Sequence, residues 1–338
     1  MNDVKDIGYI HVLRILACFW VIVNHTHHYM LTANDEASYI HYCIGFSLCK
    51  MAVTIFIMIS AILMLDKEYS YRKIIQLIKK VLVPLLCVTV FLALRDNGIG
   101  NFNLLYFIND FMKGPYLYPY WYVYMLIGFY FMVPFLQKMI KNFEEKDYVY
   151  FIIIFLLVPC VINVLFEYSE IRVSDFVFWS VFPKIIGIAV TGNYISKLKL
   201  DKRIYIASIV VFVMAFIGMF LSCYIPYCFT GEVGYNMDSW SSLPVVIMAS
   251  ALVYIVRYAL KERALPFEKL VKAVSKTTFG VYLLHSILLP EIYTTKIIQN
   301  IFFENRIIGT LILEVTIFVI SSFLVYLVGK IPFVKRYL

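Results

Sequence analysis

The chain is 338 residues long, 62% hydrophobic, 17% aromatic and only 15% charged, with a mean hydropathy of +0.81 and a formal net charge of +8. Soluble domains carry about 25% charged and about 45–50% apolar residues. The composition therefore excludes a soluble globular or disordered protein and points to an integral membrane protein with one domain, residues 1–338.

A bilayer core takes roughly 20 apolar residues per helix, and lipid admits only helices and closed barrels. The apolar runs are long and continuous rather than alternating, which predicts an all-α polytopic bundle. About ten transmembrane helices are expected, at about 8–30, 43–65, 75–95, 120–137, 148–166, 176–195, 204–225, 241–259, 277–293 and 306–328. Pro134, Pro183 and Pro290 interrupt or bound the fourth, sixth and ninth. With the N-terminus cytoplasmic, 22 of the 30 lysines and arginines fall on the inside, five fall outside, and Arg14, Lys50 and Lys184 lie within spans. The positive-inside rule then predicts that both termini are cytoplasmic. It also explains most of the +8 as orientation rather than as a nucleic-acid-binding surface.

The first segment has a weak n-region, Lys5 against Asp3 and Asp6, and no cleavage site after Tyr29, so it is expected to be retained. The loops at about 96–119 and 226–240 are aromatic and suit a lid or vestibule. Seven cysteines show no metal-ligand spacing, and no metal is expected. Cys223 and Cys228 either pair in an oxidising exterior or serve as buried apolar fillers.

An ionisable group within a span is a functional hypothesis by default. The first helix carries His11, Arg14, Asn24, His25, His27 and His28. Arg14 and His25 are separated by about 1100° of helical rotation, three turns plus about 20°, so they share a face and stand about 16 Å apart along the axis. One stripe thus carries a fixed cation at one end and a titratable base near the other. Snorkelling to headgroups is the competing reading for Arg14. His27 and His28 read as residues of the outer interface. Lys184 and Glu314, both mid-span, either pair with each other or line a pocket. Trp121 and Tyr122 fit an aromatic belt, and Trp121 also fits sugar stacking.

The run HVLRILACFWVIVNHT (11–26) resembles the opening helix of the membrane-bound acyltransferase 3 family, a basic residue followed after ten positions by histidine, here Arg14 and His25. TIFIMISAILML (54–65) resembles the second-helix pattern through Phe56 and Ser60, with Ala61 in place of the usual glycine. LIKKVLVPLL (77–86) keeps Lys80 and Pro84 of a basic run leading into proline, while Leu77 stands where an arginine is usual. PYWYVYMLIGFYFMVPFL (119–136) matches through Trp121, Leu126, Tyr130 and Pro134, and TFGVYLLHSILL (278–289) through Tyr282 and His285. These five motifs come in the family's order and span nearly the whole chain. The subgroup most similar is the short form without a fused exterior domain, the enterobacterial-common-antigen and surface-polysaccharide O-acetyltransferase type.

The resemblance implies a bacterial cytoplasmic-membrane enzyme that moves an acyl group, typically acetyl, from cytoplasmic acyl-CoA to a hydroxyl of a surface or lipid-linked glycan. His25 is then the expected general base, and Arg14 the catalytic residue that contacts the donor. Lys79 and Lys80, with Arg72 and Lys73, offer point charges to the CoA phosphates, although a plain positive-inside loop also accounts for Arg72 and Lys73. His285, Tyr282, Trp121 and Ser60 fall to the acceptor side, and for His285 a purely structural helix–helix hydrogen bond is equally open. Acetyl-CoA is the expected donor, with no metal and no nucleic acid, and exposed apolar helices permit a homo-oligomer. A polyprenyl-linked glycan flippase or polymerase and a proton-coupled transporter are the alternatives. The flippase or polymerase does not call for the Arg14/His25 stripe; the transporter would use intramembrane His and Glu, such as Glu314, and calls for an inverted repeat that the sequence does not display.

Overall fold

The computed structural model describes residues 8–32, 35–158, 184–232, 239–261, 265–335 and 337. The described residues form helices and no strand. In chain order these are α1 (Gly8–Thr26), α2 (Glu36–Cys49), α3 (Met51–Met64), α4 (Tyr71–Asn97), α5 (Leu104–Lys113), α6 (Trp121–Ile140) and α7 (Glu145–Ile152). They continue with α8 (Lys184–Lys197), α9 (Lys202–Thr230), α10 (Leu243–Ala259), α11 (Glu268–Tyr293), α12 (Lys296–Glu304), α13 (Arg306–Val328) and α14 (Pro332–Lys335).

Among the described residues, six stretches are long and apolar enough to cross a membrane: Gly8–Leu31, Glu36–Met64, Tyr71–Asn97, Tyr118–Ile140, Lys202–Thr230 and Arg306–Val328. They cover six of the expected spans. The expected 241–259 is the shorter apolar helix α10, and the expected 277–293 is the upper part of α11, which begins at Glu268. Its first turns carry Lys269, Lys272 and Lys276, and this charge hides the start of the helix from a hydropathy reading. The expected 148–166 and 176–195 coincide with α7 and the π-helical Ile153–Leu157 on one side and α8 on the other. Their residues 159–183, including Cys160, lie outside the described residues.

Helix ends follow local chemistry. Asp35 opens α2 by accepting from the Ser38 amide and hydroxyl at 2.9 and 2.8 Å, and Asp201 opens α9 by accepting from Arg203 N at 2.6 Å. Gly231 (φ 74°) closes α9 in the left-handed conformation that favours glycine. The expected single span 43–65 is two helices, α2 and α3, that meet at Lys50.

α1 packs against α3, α11, α13 and α2 and so runs through the middle of the bundle. Its partner α11 is parallel to it: His11 Nδ1 lies 2.9 Å from Ser275 Oγ, the Cys18 thiol donates to Thr278 O at 3.4 Å, and the rings of His25 and His285 are 5.2 Å apart. We call the end holding Gly8 and Glu268 the base, and the end holding His25 and Tyr293 the top.

Small residues set the closest helix contacts, as in membrane bundles generally. A side chain on Gly192 of α8 would place its Cβ 2.7 Å from Met58 Cα of α3. Gly192→Leu is expected to cost about 1–3 kcal/mol by overpacking and to lower the melting midpoint of the detergent-purified protein. Gly218→Leu, where no atom lies within 4 Å, should leave the midpoint unchanged.

Candidate active site

A cavity of about 240 Å³ lies near the top of the bundle. α1 supplies Val21, Asn24 and His25, and the α2–α3 junction supplies Cys49, Lys50, Ala52 and Val53. The turn before α6 and its first residues supply Tyr118, Pro119, Trp121 and Tyr122; Trp240 comes from the segment before α10 and Tyr282 from α11. The mouth is marked by Tyr118, 79% exposed.

Two tyrosines clamp the wall in opposite directions. Tyr282 of α11 donates its hydroxyl to Pro119 O, and Tyr120 donates to Leu283 O of α11 at 2.8 Å. Thr54 Oγ1 donates to Trp240 O, which holds the loop tryptophan over the cavity. Trp240 faces Trp121 with ring centroids 6.0 Å apart and planes tilted by 31°.

The cavity floor is aromatic and leads to a histidine pair. Tyr122 lies 5.6 Å from Tyr282, Tyr282 lies 5.8 Å from His285, and His285 lies 5.2 Å from His25, centroid to centroid. His285 is fully buried, and its Nδ1 sits 2.6 Å from Tyr282 O. A carbonyl only accepts, so Nδ1 carries the proton. In the neutral ring Nε2 then accepts from Ser286 Oγ at 3.1 Å. Both nitrogens of His285 are thereby occupied within its own helix. No hydrogen bond among the described residues occupies the ring of His25.

The half-buried Arg14 lies within electrostatic reach of Tyr122 and Tyr130. Tyr122 therefore touches both the cavity and the field of the guanidinium. No carboxylate among the described residues pairs with Arg14. A cation at this depth without a counter-ion is costly, which makes Arg14 a candidate for a functional role.

Of the expected site residues, the structure brings His25, Tyr282 and Trp121 into the cavity and places His285 behind His25. Ser60 is not among the lining residues; its hydroxyl turns back to Phe56 O at 2.9 Å. Arg72, Lys73, Lys79 and Lys80 are exposed on the first turns of α4 at the base and do not line the cavity. His28 is exposed, whereas His27, expected at the interface, is buried, held to Val23 O at 2.8 Å and stacked on Tyr42 at 4.9 Å. Glu314 does not pair with Lys184: its carboxylate accepts from Thr26 Oγ1 at 2.8 Å, while Lys184 is buried at the start of α8, which packs on α3, α7 and α10. Cys223 and Cys228 form no disulfide; Cys223 is buried with its sulfur 3.2 Å from that of Cys43, and Cys228 is exposed.

Lys50, Trp240 and Asn24 are among the lining residues that were not singled out from the sequence as site residues. Lys50 had a readable signal, a cation inside an apolar run. Its Nζ lies 4.8 Å from the Phe46 ring centre, and its charge acts on His25.

The acyltransferase-domain family Acyl_transf_3 matches residues 7–329. The chain belongs to this family. Neither the curated proteins nor the solved structures contain a match to it. Family membership and the apolar, membrane-length stretches among the described residues make the protein a membrane acyltransferase. In this member of the Acyl_transf_3 family, the residues matching the basic-x10-histidine motif, Arg14 and His25, occupy one face of the central helix.

The reciprocal tyrosine clamp yields a stability prediction. Tyr120→Phe leaves the buried Leu283 carbonyl without its donor and is expected to cost about 0.5–2 kcal/mol. The measurement is the thermal midpoint in detergent; an unchanged midpoint would show that the clamp does not hold the wall.

Proposed function

We propose that this acyltransferase is an O-acetyltransferase that takes its acyl group from acyl-CoA at the base and delivers it to a glycan hydroxyl at the top. The observation that carries the reading is the location of His25. Its imidazole lines a cavity framed by two tryptophans, while the same helix face carries Arg14 three turns toward the base. The paired indoles suit the apolar face of a sugar ring, and Asn24, Lys50 and Tyr282 offer polar atoms to its hydroxyls. At about 240 Å³ the cavity is smaller than typical ligand sites of roughly 300–1,000 Å³, so it suits one sugar ring of a longer acceptor.

His25 takes the proton of the acceptor hydroxyl as that oxygen attacks the thioester carbonyl. Arg14, three turns nearer the base, holds the donor. The carbon–sulfur bond then breaks, and the imidazolium returns its proton to the CoA thiolate, leaving an ester and a free thiol. His285, locked by its two hydrogen bonds, positions the His25 ring. Lys79 and Lys80, with Arg72 and Lys73, are exposed at the base, where the negative CoA head would approach. The distribution of 22 of 30 basic residues supports ten spans with both termini in the cytoplasm.

His25→Ala is expected to abolish acyl transfer with the folded protein recovered at wild-type yield. The assay pairs labelled acetyl-CoA turnover by purified protein with glycan mass spectrometry of cells, which should lose one acyl mass. Full transfer by His25→Ala would remove His25 as the base, and glycan flux without donor turnover would identify a transporter instead. Trp240→Ala should raise the acceptor KM about three- to tenfold, the effect of losing one aromatic contact, with the KM for acetyl-CoA unchanged.

A further inference from the structure

On the opposite flank of α11 from α1 the base carries a second, larger hollow. A groove of about 800 Å³ runs between the start of α11 and the end of α13, lined by Lys269, Lys272, Lys276 and Lys330 together with Tyr326 and Val325. Beside it lies a wholly apolar slot of about 220 Å³, walled by Pro84 and Val88 of α4, Leu283 and Leu284 of α11, and Val325 and Val328 of α13. Val325 lines both, so slot and groove adjoin. Between them α11 and α13 touch closely at Gly280, where an added Cβ would fall 2.6 Å from the Val325 methyls.

The charge is one-sided. Glu268 answers Lys272 at 2.6 Å, and no carboxylate among the described residues answers Lys269, Lys276 or Lys330. Lys330 is anchored over the Tyr326 ring at 4.7 Å. Lys269, Lys272 and Lys276 recur at i, i+3 and i+7, so they form one stripe. At about 100° per residue the stripe lies roughly 120° around α11 from Ser275 and Thr278, which face α1. The groove is thus turned away from the helix that carries Arg14 and His25.

We propose that this groove and slot bind an anionic phospholipid of the leaflet at the base. Its phosphate would lie among Lys269, Lys276 and Lys330, and an acyl chain in the slot. The chemistry matches on both counts, since clustered lysines at the membrane surface attract anionic headgroups and the slot offers no polar surface. The phosphates of CoA share the headgroup chemistry but have no use for an apolar slot outside the α1 seam. The proposal does not depend on the acyl-transfer reading.

The test uses the full-length protein in non-ionic detergent, titrated by native mass spectrometry with dioleoyl phosphatidylglycerol, dioleoyl phosphatidylcholine and CoA. Phosphatidylglycerol should bind more tightly than phosphatidylcholine. Lys276→Ala/Lys330→Ala should weaken it about 25-fold, at about fivefold per lysine, and leave CoA binding unchanged. Lys138→Ala/Lys202→Ala, which removes two lysines elsewhere, should leave both ligands unaffected. Cys87→Trp, at an exposed slot residue, should weaken phosphatidylglycerol with every lysine in place. Equal binding of the two lipids, insensitivity to the groove lysines, or loss of CoA rather than lipid binding in Lys276→Ala/Lys330→Ala would overturn the assignment. Size-exclusion profiles confirm that each variant is folded.

Discussion

The parallel seam between α1 and α11 governs the rest of the structure. Lipid supplies no hydrogen bonds, so a polar side chain at membrane depth must find its partner inside the protein. Along this seam His11 meets Ser275, the Cys18 thiol meets Thr278 O, and the His25 ring meets the His285 ring. α13 closes the third side, where Glu314 accepts from Thr26 of α1. Each contact fixes the rotation of α1 about its axis, and that rotation decides which way Arg14 and His25 face. The site is therefore a consequence of the seam rather than of the loops around it.

Once the seam sets the floor, the walls need hold only a few groups. The reciprocal bonds of Tyr282 to Pro119 O and Tyr120 to Leu283 O lock the start of α6 to α11. The bond from Thr54 to Trp240 O brings a residue from a distant stretch of chain over the same cavity. Three hydroxyl-to-carbonyl bonds thus tie together α3, α6, α11 and the segment before α10. Satisfied bonds of this kind keep local unfolding costly in a region that must still admit a ligand.

What the sequence revealed depended on whether the signal was local to one helix. The Arg14/His25 stripe was readable because helical geometry alone places residues eleven apart on one face. The long apolar helices were readable because lipid leaves so few alternatives. Trp240 was not readable as a wall residue, because periodicity says nothing about which loop returns to which helix. Ser60 followed the motif register, yet its hydroxyl satisfies its own backbone at Phe56 O, a choice that local geometry makes after the register is set. His27 looked interfacial by position, but stacking on Tyr42 of α2 buries it, and that contact spans two helices. The start of α11 was missed for a different reason: its lysines lower the hydropathy while lying together on one face.

The two basic clusters at the base carry the same charge but occupy unlike surroundings. Lys79 and Lys80 stand exposed on α4 and line neither the groove nor the slot. Lys269, Lys276 and Lys330 rim a groove that adjoins an apolar slot. A water-borne polyanion needs an open surface near the reaction path, whereas a lipid needs an amphipathic recess reached from the bilayer. On the proposed readings the first cluster serves the donor and the second the membrane. Charge counting assigns both clusters to the positive-inside rule alike, so only their apolar neighbours distinguish them. Pro84 bounds the difference: it follows Lys79 and Lys80 by one helical turn and itself lines the slot, so α4 carries the boundary between an aqueous approach and a lipid-facing recess.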